Sequence, residues 1–318
     1  MQVWSASPKS NRDMLTSGAS LLLKKADSEV LVCPHIGGAI ARYVWKQLDI
    51  LRRAPDDAIS DEKVRQMGSY ALVPYSNRIG NAQLIAGDRT YSLKPNFAPE
   101  PHSIHGFGWQ RAWRIESSTT HSAQLSLAHE PDDAWPFSCH SRQSIRLEDN
   151  SLTLELSVMN LDTRQMPAGL GFHTFFPVTA EAHLESQWEG VWKVGPDLLP
   201  NTWERTSPAN DFSHSRPISG WRIDNCFTGW TRIASLEYAE HRVAISASEA
   251  CNNMVVYSPG DQRNFIALEP VTNINNGFAL AAQGHLNTGV RILEPGESLS
   301  ITMSINPSRS NDTGTVNA

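Results

Sequence analysis

The stretch Leu152-Thr153-Leu154-Glu155-Leu156-Ser157-Val158 alternates strictly between apolar and polar residues, the period of a strand with one face in a core and one in water. Shorter apolar runs recur along the chain, at Val30 to Val32, Ile145 to Leu147, Val243 to Ile245, Met254 to Tyr257 and Val290 to Leu293. Turn-forming clusters separate them, among them Gly37-Gly38, Ala86-Gly87-Asp88, Glu148-Asp149-Asn150 and Glu294-Pro295-Gly296-Glu297. Only Asp61 to Met67 and Glu249 to Asn253 read as short helices, and no repeat of the solenoid or propeller kind is present. The pattern predicts an all-β protein, a large antiparallel β-sandwich.

At 318 residues the length would allow two average domains, but large all-β domains often run long and no Pro/Gly/Ser-rich linker divides the middle. One domain is expected over 19–306, preceded by a polar segment 1–18 and followed by a polar tail 307–318. The first segment lacks the apolar stretch of a signal peptide, and Ser20-Leu21-Leu22-Leu23 is too short to span a bilayer, so no membrane partner and a cytoplasmic location are the expectations.

A net charge of -6 with no basic stripe argues against a nucleic-acid partner, which would call for a clustered cationic face. Cys33, Cys139, Cys226 and Cys251 are scattered without a C-x-x-C pair, so buried reduced thiols are expected rather than a disulfide framework or a zinc site.

Against this background two segments carry chemistry. In Phe265-Ile266-Ala267-Leu268-Glu269-Pro270 one carboxylate ends an apolar strand, on the same face as Phe265 and Ala267, and Pro270 biases Glu269 toward an extended backbone. In Gly169-Leu170-Gly171-Phe172-His173-Thr174-Phe175-Phe176-Pro177 a single His stands among aromatics, on the face of Gly171 and Phe175, with small Gly171 expected to leave room for a ligand. A carboxylate and an imidazole in such settings suit a reaction that removes one proton and delivers another to the same molecule.

Three further segments are candidates for binding. Val73 to Asn81 carries Arg78, a donor for sugar hydroxyls or simply the charged tip of a turn. Pro101 to Trp109 carries His105 before a glycine; the glycines beside His102 and His105 disfavour a helical i, i+3 metal pair and no third ligand stands nearby, so no metal is expected. Arg222 to Trp230 carries Asp224, an acceptor for hydroxyls or the start of an Asx-turn. Of the ten tryptophans, most are expected in the core, with Trp109 and Trp230 as candidates for packing on a sugar ring. Gly106-Phe107-Gly108 and Gly169-Leu170-Gly171 lack the third glycine of a dinucleotide loop, and no G-x-S-x-G elbow is present.

In their order along the chain, Asn77-Arg78-Ile79, His105-Gly106, Gly171-Phe172-His173 with Phe176, and Leu268-Glu269-Pro270 resemble the aldose 1-epimerase family, also called galactose mutarotases. The resemblance runs from Ile36-Gly37-Gly38 to Glu294-Pro295-Gly296. It implies a galactose mutarotase-like β-super-sandwich with an open sugar-binding cleft. It also implies Glu269 as general base, His173 as general acid, and substrate hydrogen bonds from Arg78, His105 and Asp224, with Asn77 beside them. No cofactor is implied. Thr174-Phe175 departs from the Pro-Tyr that many relatives carry after the catalytic His, a change expected to alter the pocket wall.

The implied partner is a small sugar whose α and β anomers interconvert by ring opening and closure. Ionised Glu269 and protonated His173 would coexist between the ordinary values of ~4.3 and ~6.5. The alternatives are an epimerase for a phosphorylated or other anionic sugar, with Arg42, Arg52 or Arg53 as the added cation, a glycosidase using Glu269 and Asp224, or a non-catalytic carbohydrate-binding protein.

Overall fold

Alternating strands of the kind seen at Leu152–Val158 pair edge to edge into two large antiparallel sheets, one of eleven strands and one of nine. The computed structural model describes residues 20–260 and 263–310. The polar segment expected over 1–18 and residues 311–318 of the expected tail lie outside them. The last strand, Ser298–Arg309, runs three residues into the expected tail, because Pro307, Ser308 and Arg309 pair with Val243, Arg242 and His241.

The nine-stranded sheet is centred on Cys139–Glu148, Ser151–Asn160, Ser298–Arg309 and His241–Ala247. Leu152, Leu154, Leu156 and Val158 all face the core, and the register sets Leu154 between Ile145 and Met303. Each such buried aliphatic side chain contributes roughly 1.5–3 kcal/mol of transfer free energy. The facing layer comes from the eleven-stranded sheet, whose central strands are Ser69–Leu72, Gly171–Pro177, Phe265–Val271, Asn253–Pro259 and Arg222–Thr228. Phe172, Phe176, Ile266 and Leu268 point into the shared core between the sheets.

The residues that alternate with these face the other way. Tyr70, Phe175, Val255, Phe265 and Ala267 form a second apolar cluster on the outer face of the eleven-stranded sheet, partly covered by the loop that carries Ala58 and Met67. This second face positions the site.

Helix is sparse. Asp56–Ser60 is helical and Val64–Gln66 is a single tight turn, so the helix expected over Asp61 to Met67 begins earlier and breaks. Glu249 to Asn253 is not a helix: it is a turn leading into Asn253–Pro259. Gly277–Ala282 is a helix that alternation alone did not signal, six residues long. Among the described residues, no helix is long and apolar enough to cross a membrane. All four cysteines are buried and free.

Candidate active site

Strand register brings the two chemistry-bearing residues together. Gly171 pairs with Val271 and Thr174 with Leu268, a register in which His173 stands opposite Glu269. On the flanking strands His173 pairs with Tyr70, and Glu269 pairs with Val255. Directly opposed residues on one sheet face approach closely enough for their side chains to meet. Nε2 of His173 lies 3.3 Å from Oε1 of Glu269, just past the usual span of an N–H···O bond.

Both side chains are almost completely buried, at 8% and 2% exposure. Phe175 stacks on the His173 ring with centroids 4.4 Å apart, and Tyr70 tilts against it at 4.7 Å. Among the described residues, Nδ1 of His173 and Oε2 of Glu269 have no hydrogen-bond partner. Buried polar atoms normally have one, so two such atoms at the floor of a cleft mark a place built to receive polar groups.

The cleft above them measures about 1170 Å³ and is lined by Tyr70, Asn77, Arg78, His105, Asp224 and Tyr257 as well as the pair itself. All six site residues expected from the sequence therefore share one cavity. Trp109 also lines it, with its indole N–H donated to the carbonyls of Ile104 and Gly106. Trp230 does not: it is a core residue, 1% exposed, whose N–H goes to Ser186 Oγ. Gly171 is small for packing rather than for a ligand, since an added Cβ would come within 2.7 Å of Val271 Cγ1.

Asp224 stands on the strand Arg222–Thr228, opposite Tyr257, and two loop segments carry the other groups. Arg78–Ile79 pairs with Ser103–Ile104 as a short ribbon, and Asn77 and His105, both at positive φ, are locked together at its end. The Asn77 N–H donates to His105 Nδ1 at 3.0 Å, while the His105 N–H donates to the Asn77 carbonyl at 2.9 Å. Nδ1 is thus an acceptor, which leaves Nε2 as the N–H donor of a neutral ring. Burial, reinforced by the Arg78 charge, pushes the His105 pKa down to about 3 and keeps it in that state. Gly106 makes the loop possible: its φ is +67° and a Cβ there would lie 2.1 Å from the Val73 carbonyl oxygen.

Arg78 forks onto Glu100, with Nε and Nη2 donating at 2.7 and 3.0 Å. Burial alone would lower its pKa, but the Glu100 hydrogen bonds and the nearby Asp224 and Glu269 outweigh that and raise it. Glu100 carried no sequence signal, because nothing in the Pro99-Glu100-Pro101 context marks a partner 22 residues from Arg78.

Burial works against the charge state expected of the pair. Burial, with the Asp224 charge adding to it, holds the Glu269 pKa well above the usual carboxylate value, and Arg78 opposes only in part. Burial, with His105 and Arg52 adding to it, holds His173 well below the usual imidazole value. Both shifts favour the uncharged forms, a neutral carboxyl and a neutral imidazole, over the carboxylate and imidazolium expected between ~4.3 and ~6.5. Asp224 is itself raised, by burial first, with Arg78 opposing and Glu100 assisting.

One ligand atom from each of His105, His173 and Glu269 falls within 4.8 Å of the others, a donor set of two imidazoles and one carboxylate. His102 is not part of it, since its Nδ1 accepts from the Asn81 N–H and its Nε2 meets the Asp197 carbonyl.

The family model described as Aldose 1-epimerase matches residues 20–306. Among curated proteins the chain is 26% identical over 278 residues to the uncharacterized protein YphB of Escherichia coli K12, covering 85% of this chain and 92% of that one. A solved structure of a provisionally named aldose 1-epimerase from Escherichia coli K12 superposes with a TM-score of 0.83 at 22% identity, over 92% of this chain and 99% of that one. The galactose 1-epimerase of Lactobacillus acidophilus NCFM does so with a TM-score of 0.75 at 17% identity, over 96% and 97%. At these identities the structural likeness establishes the fold.

Proposed function

The chain belongs to the aldose 1-epimerase family, and we propose on that premise that it interconverts the α and β anomers of a free aldose, with Glu269 and His173 moving the two protons. The observation that carries this reading is the 3.3 Å approach of two buried side chains at the floor of a cleft with ample room for a sugar. The anomeric hydroxyl and the ring oxygen are bonded to one carbon, so an acid and a base that are close neighbours reach both.

Ring opening requires a proton to leave the anomeric hydroxyl and one to arrive at the ring oxygen. Carboxylate Glu269 takes the first and imidazolium His173 delivers the second. The pair holds one proton before the step and one after it, but afterwards the proton sits on Glu269 and both side chains are neutral. Burial favours that neutral arrangement, so the environment that resists the charge-separated pair pulls the reaction toward the open chain. After rotation about C1–C2, Glu269 returns its proton to the carbonyl oxygen and His173 accepts the one on O5, closing the ring as the other anomer. Arg78, the Nε2–H of His105 and Asp224 line the cleft as hydrogen-bonding groups for the remaining hydroxyls.

Polarimetry of freshly dissolved α-D-galactose and α-D-glucose tests the reading. Faster equilibration by the wild type that Glu269→Gln and His173→Asn both abolish supports it. Equilibration equally fast with either variant removes the assignment.

A further inference from the structure

We infer that the cleft selects an aldose bearing an anionic group (carboxylate, sulfonate or phosphate) on the ring substituent next to the ring oxygen, held by Arg52 with Arg65 and Arg263. This inference rests on the anomer-interconversion reading above.

Cations in the cleft divide into two kinds. Arg53 is paired with Asp49 at 2.9 Å, Lys63 with Asp61 at 2.8 Å, and Arg78 with Glu100 at 2.7 Å. Arg52, Arg65 and Arg263 also line the cleft, and none has a carboxylate within 4.0 Å among the described residues. For a chain with a net charge of -6, three arginines in one cleft with no carboxylate partner among the described residues are a departure that a ligand's charge would balance.

Arg52 is the anchor. Its guanidinium lies 3.7 Å from the Phe175 ring centroid and 4.6 Å from that of Phe265. Nη2 donates to the carbonyls of Arg65 and Met67 at 2.8 and 2.6 Å, and the backbone N–H of Arg52 is tied to the Phe175 carbonyl. Two aromatic faces and two carbonyls orient the fork but supply no full negative charge. Burial pushes its pKa down to about 10, with neighbouring Arg263 acting in the same direction. A partly buried guanidinium without a counter-charge is costly, and an anion that completes it is bound strongly.

Position follows from the catalytic pair. Phe175 stacks on the His173 ring at 4.4 Å and lies 3.7 Å from the Arg52 guanidinium, so Arg52 cannot be further from His173 than these two contacts combined, a span comparable to a hexose. His173 is the group assigned to the ring oxygen. The carbon bonded to that oxygen on the side away from C1 carries the exocyclic substituent, so an anionic group on this arm comes within reach of Arg52. Asp224 and the Arg78–Glu100 pair, which offer no unpaired cation, are left for neutral hydroxyls.

The apolar contacts and carbonyl bonds of Arg52 also brace the loop through Arg65 and Met67, so a purely structural role is the competing account. Exchange NMR between anomeric protons, with D-glucuronate, D-glucose 6-phosphate, D-glucose and D-galactose, separates the two. The wild type is expected to show kcat/KM at least tenfold higher for one or both anionic sugars, falling as NaCl is raised from 50 to 500 mM. Arg52→Gln is expected to bring the anionic-to-neutral ratio toward one. The Arg65→Gln/Arg263→Gln double variant leaves every Arg52 side-chain contact in place and gives up, besides charge, the packing of Arg65 over Phe97 at 4.8 Å; it is expected to lower that ratio severalfold.

Equal or greater kcat/KM for the neutral sugars, or a ratio unmoved in both variants, overturns the inference while leaving the anomer reading standing. Calorimetric titration of Glu269→Gln with the same four sugars tests selectivity without turnover. Tighter binding of an anionic sugar supports the inference even if none is equilibrated by the wild type, a result that would count against the anomer reading alone.

Discussion

Nε2 of His173 meets Oε1 of Glu269 at 3.3 Å because the residues stand opposite each other on adjacent antiparallel strands, each flanked by a further paired strand. A pair set by strand register is held more rigidly than one set by loops, since moving either residue would break the ladder of two neighbours.

Replacing either member removes one positioned proton-transfer group. Glu269→Gln and His173→Asn are each expected to lose about 10²- to 10⁴-fold in kcat, measured by polarimetry or exchange NMR. The double variant should be little worse than the poorer single one, because the two act on one step. Losses that multiply would mean that the residues act independently.

The pH profile follows from the single shared proton. Adding a second proton requires charging His173, whose pKa is depressed, so the acid limb of kcat/KM should fall below the ordinary imidazole value of ~6.5. Removing the proton requires ionising Glu269, whose pKa is raised, so the alkaline limb should lie above the ordinary carboxylate value of ~4.3. Both limbs belong to the pair rather than to either residue. A profile whose acid limb tracks an unshifted imidazole would contradict the burial argument.

Glu269 also links pH to stability. Its folded pKa is raised, so the folded protein binds this proton more tightly than the unfolded chain does. The associated stability is fully present below the unfolded carboxylate value and is lost as pH rises through the folded one. Glu269→Gln, which cannot ionise, should therefore gain stability relative to the wild type as pH increases, read as a widening difference in Tm. A constant difference across that range would be the contrary result.

Gly106→Ala places a Cβ against the Val73 carbonyl oxygen at a φ of +67°. Backbone strain of this kind costs about 1–3 kcal/mol, to be measured by urea denaturation. Because the same loop holds His105 against Asn77, sugar turnover should fall by more than the loss of folded protein accounts for.

Glu100→Gln removes the charge that orients Arg78 but keeps one acceptor. The expected result is a KM raised roughly three- to tenfold, about 1 kcal/mol of binding, with a smaller change in kcat. A drop confined to kcat would place Arg78 in the proton-transfer step instead.

Alternation along Phe265 to Pro270 and Gly171 to Pro177 was legible in the residues themselves, since a two-residue period dictates which side chains share a face. It assigned Glu269 to the face of Phe265 and Ala267, and His173 to the face of Phe175, as the structure has them. Trp230 shows the limit: six residues from Asp224 in sequence, it lies in the core between the sheets, because the chain turns at Gly229 after the strand ends.

The sequence by itself therefore determined the strands, their faces and the kinds of chemistry available, because these depend on local periodicity and side-chain type. Only the tertiary structure decided that His173 stands opposite Glu269, that Glu100 holds Arg78, and that Arg52 enters the cleft between Phe175 and Phe265. It also moved the titration of the pair, Glu269 upward and His173 downward. Register between strands nearly a hundred residues apart, and the desolvation that shifts a pKa, are properties of the packed whole and have no local signature.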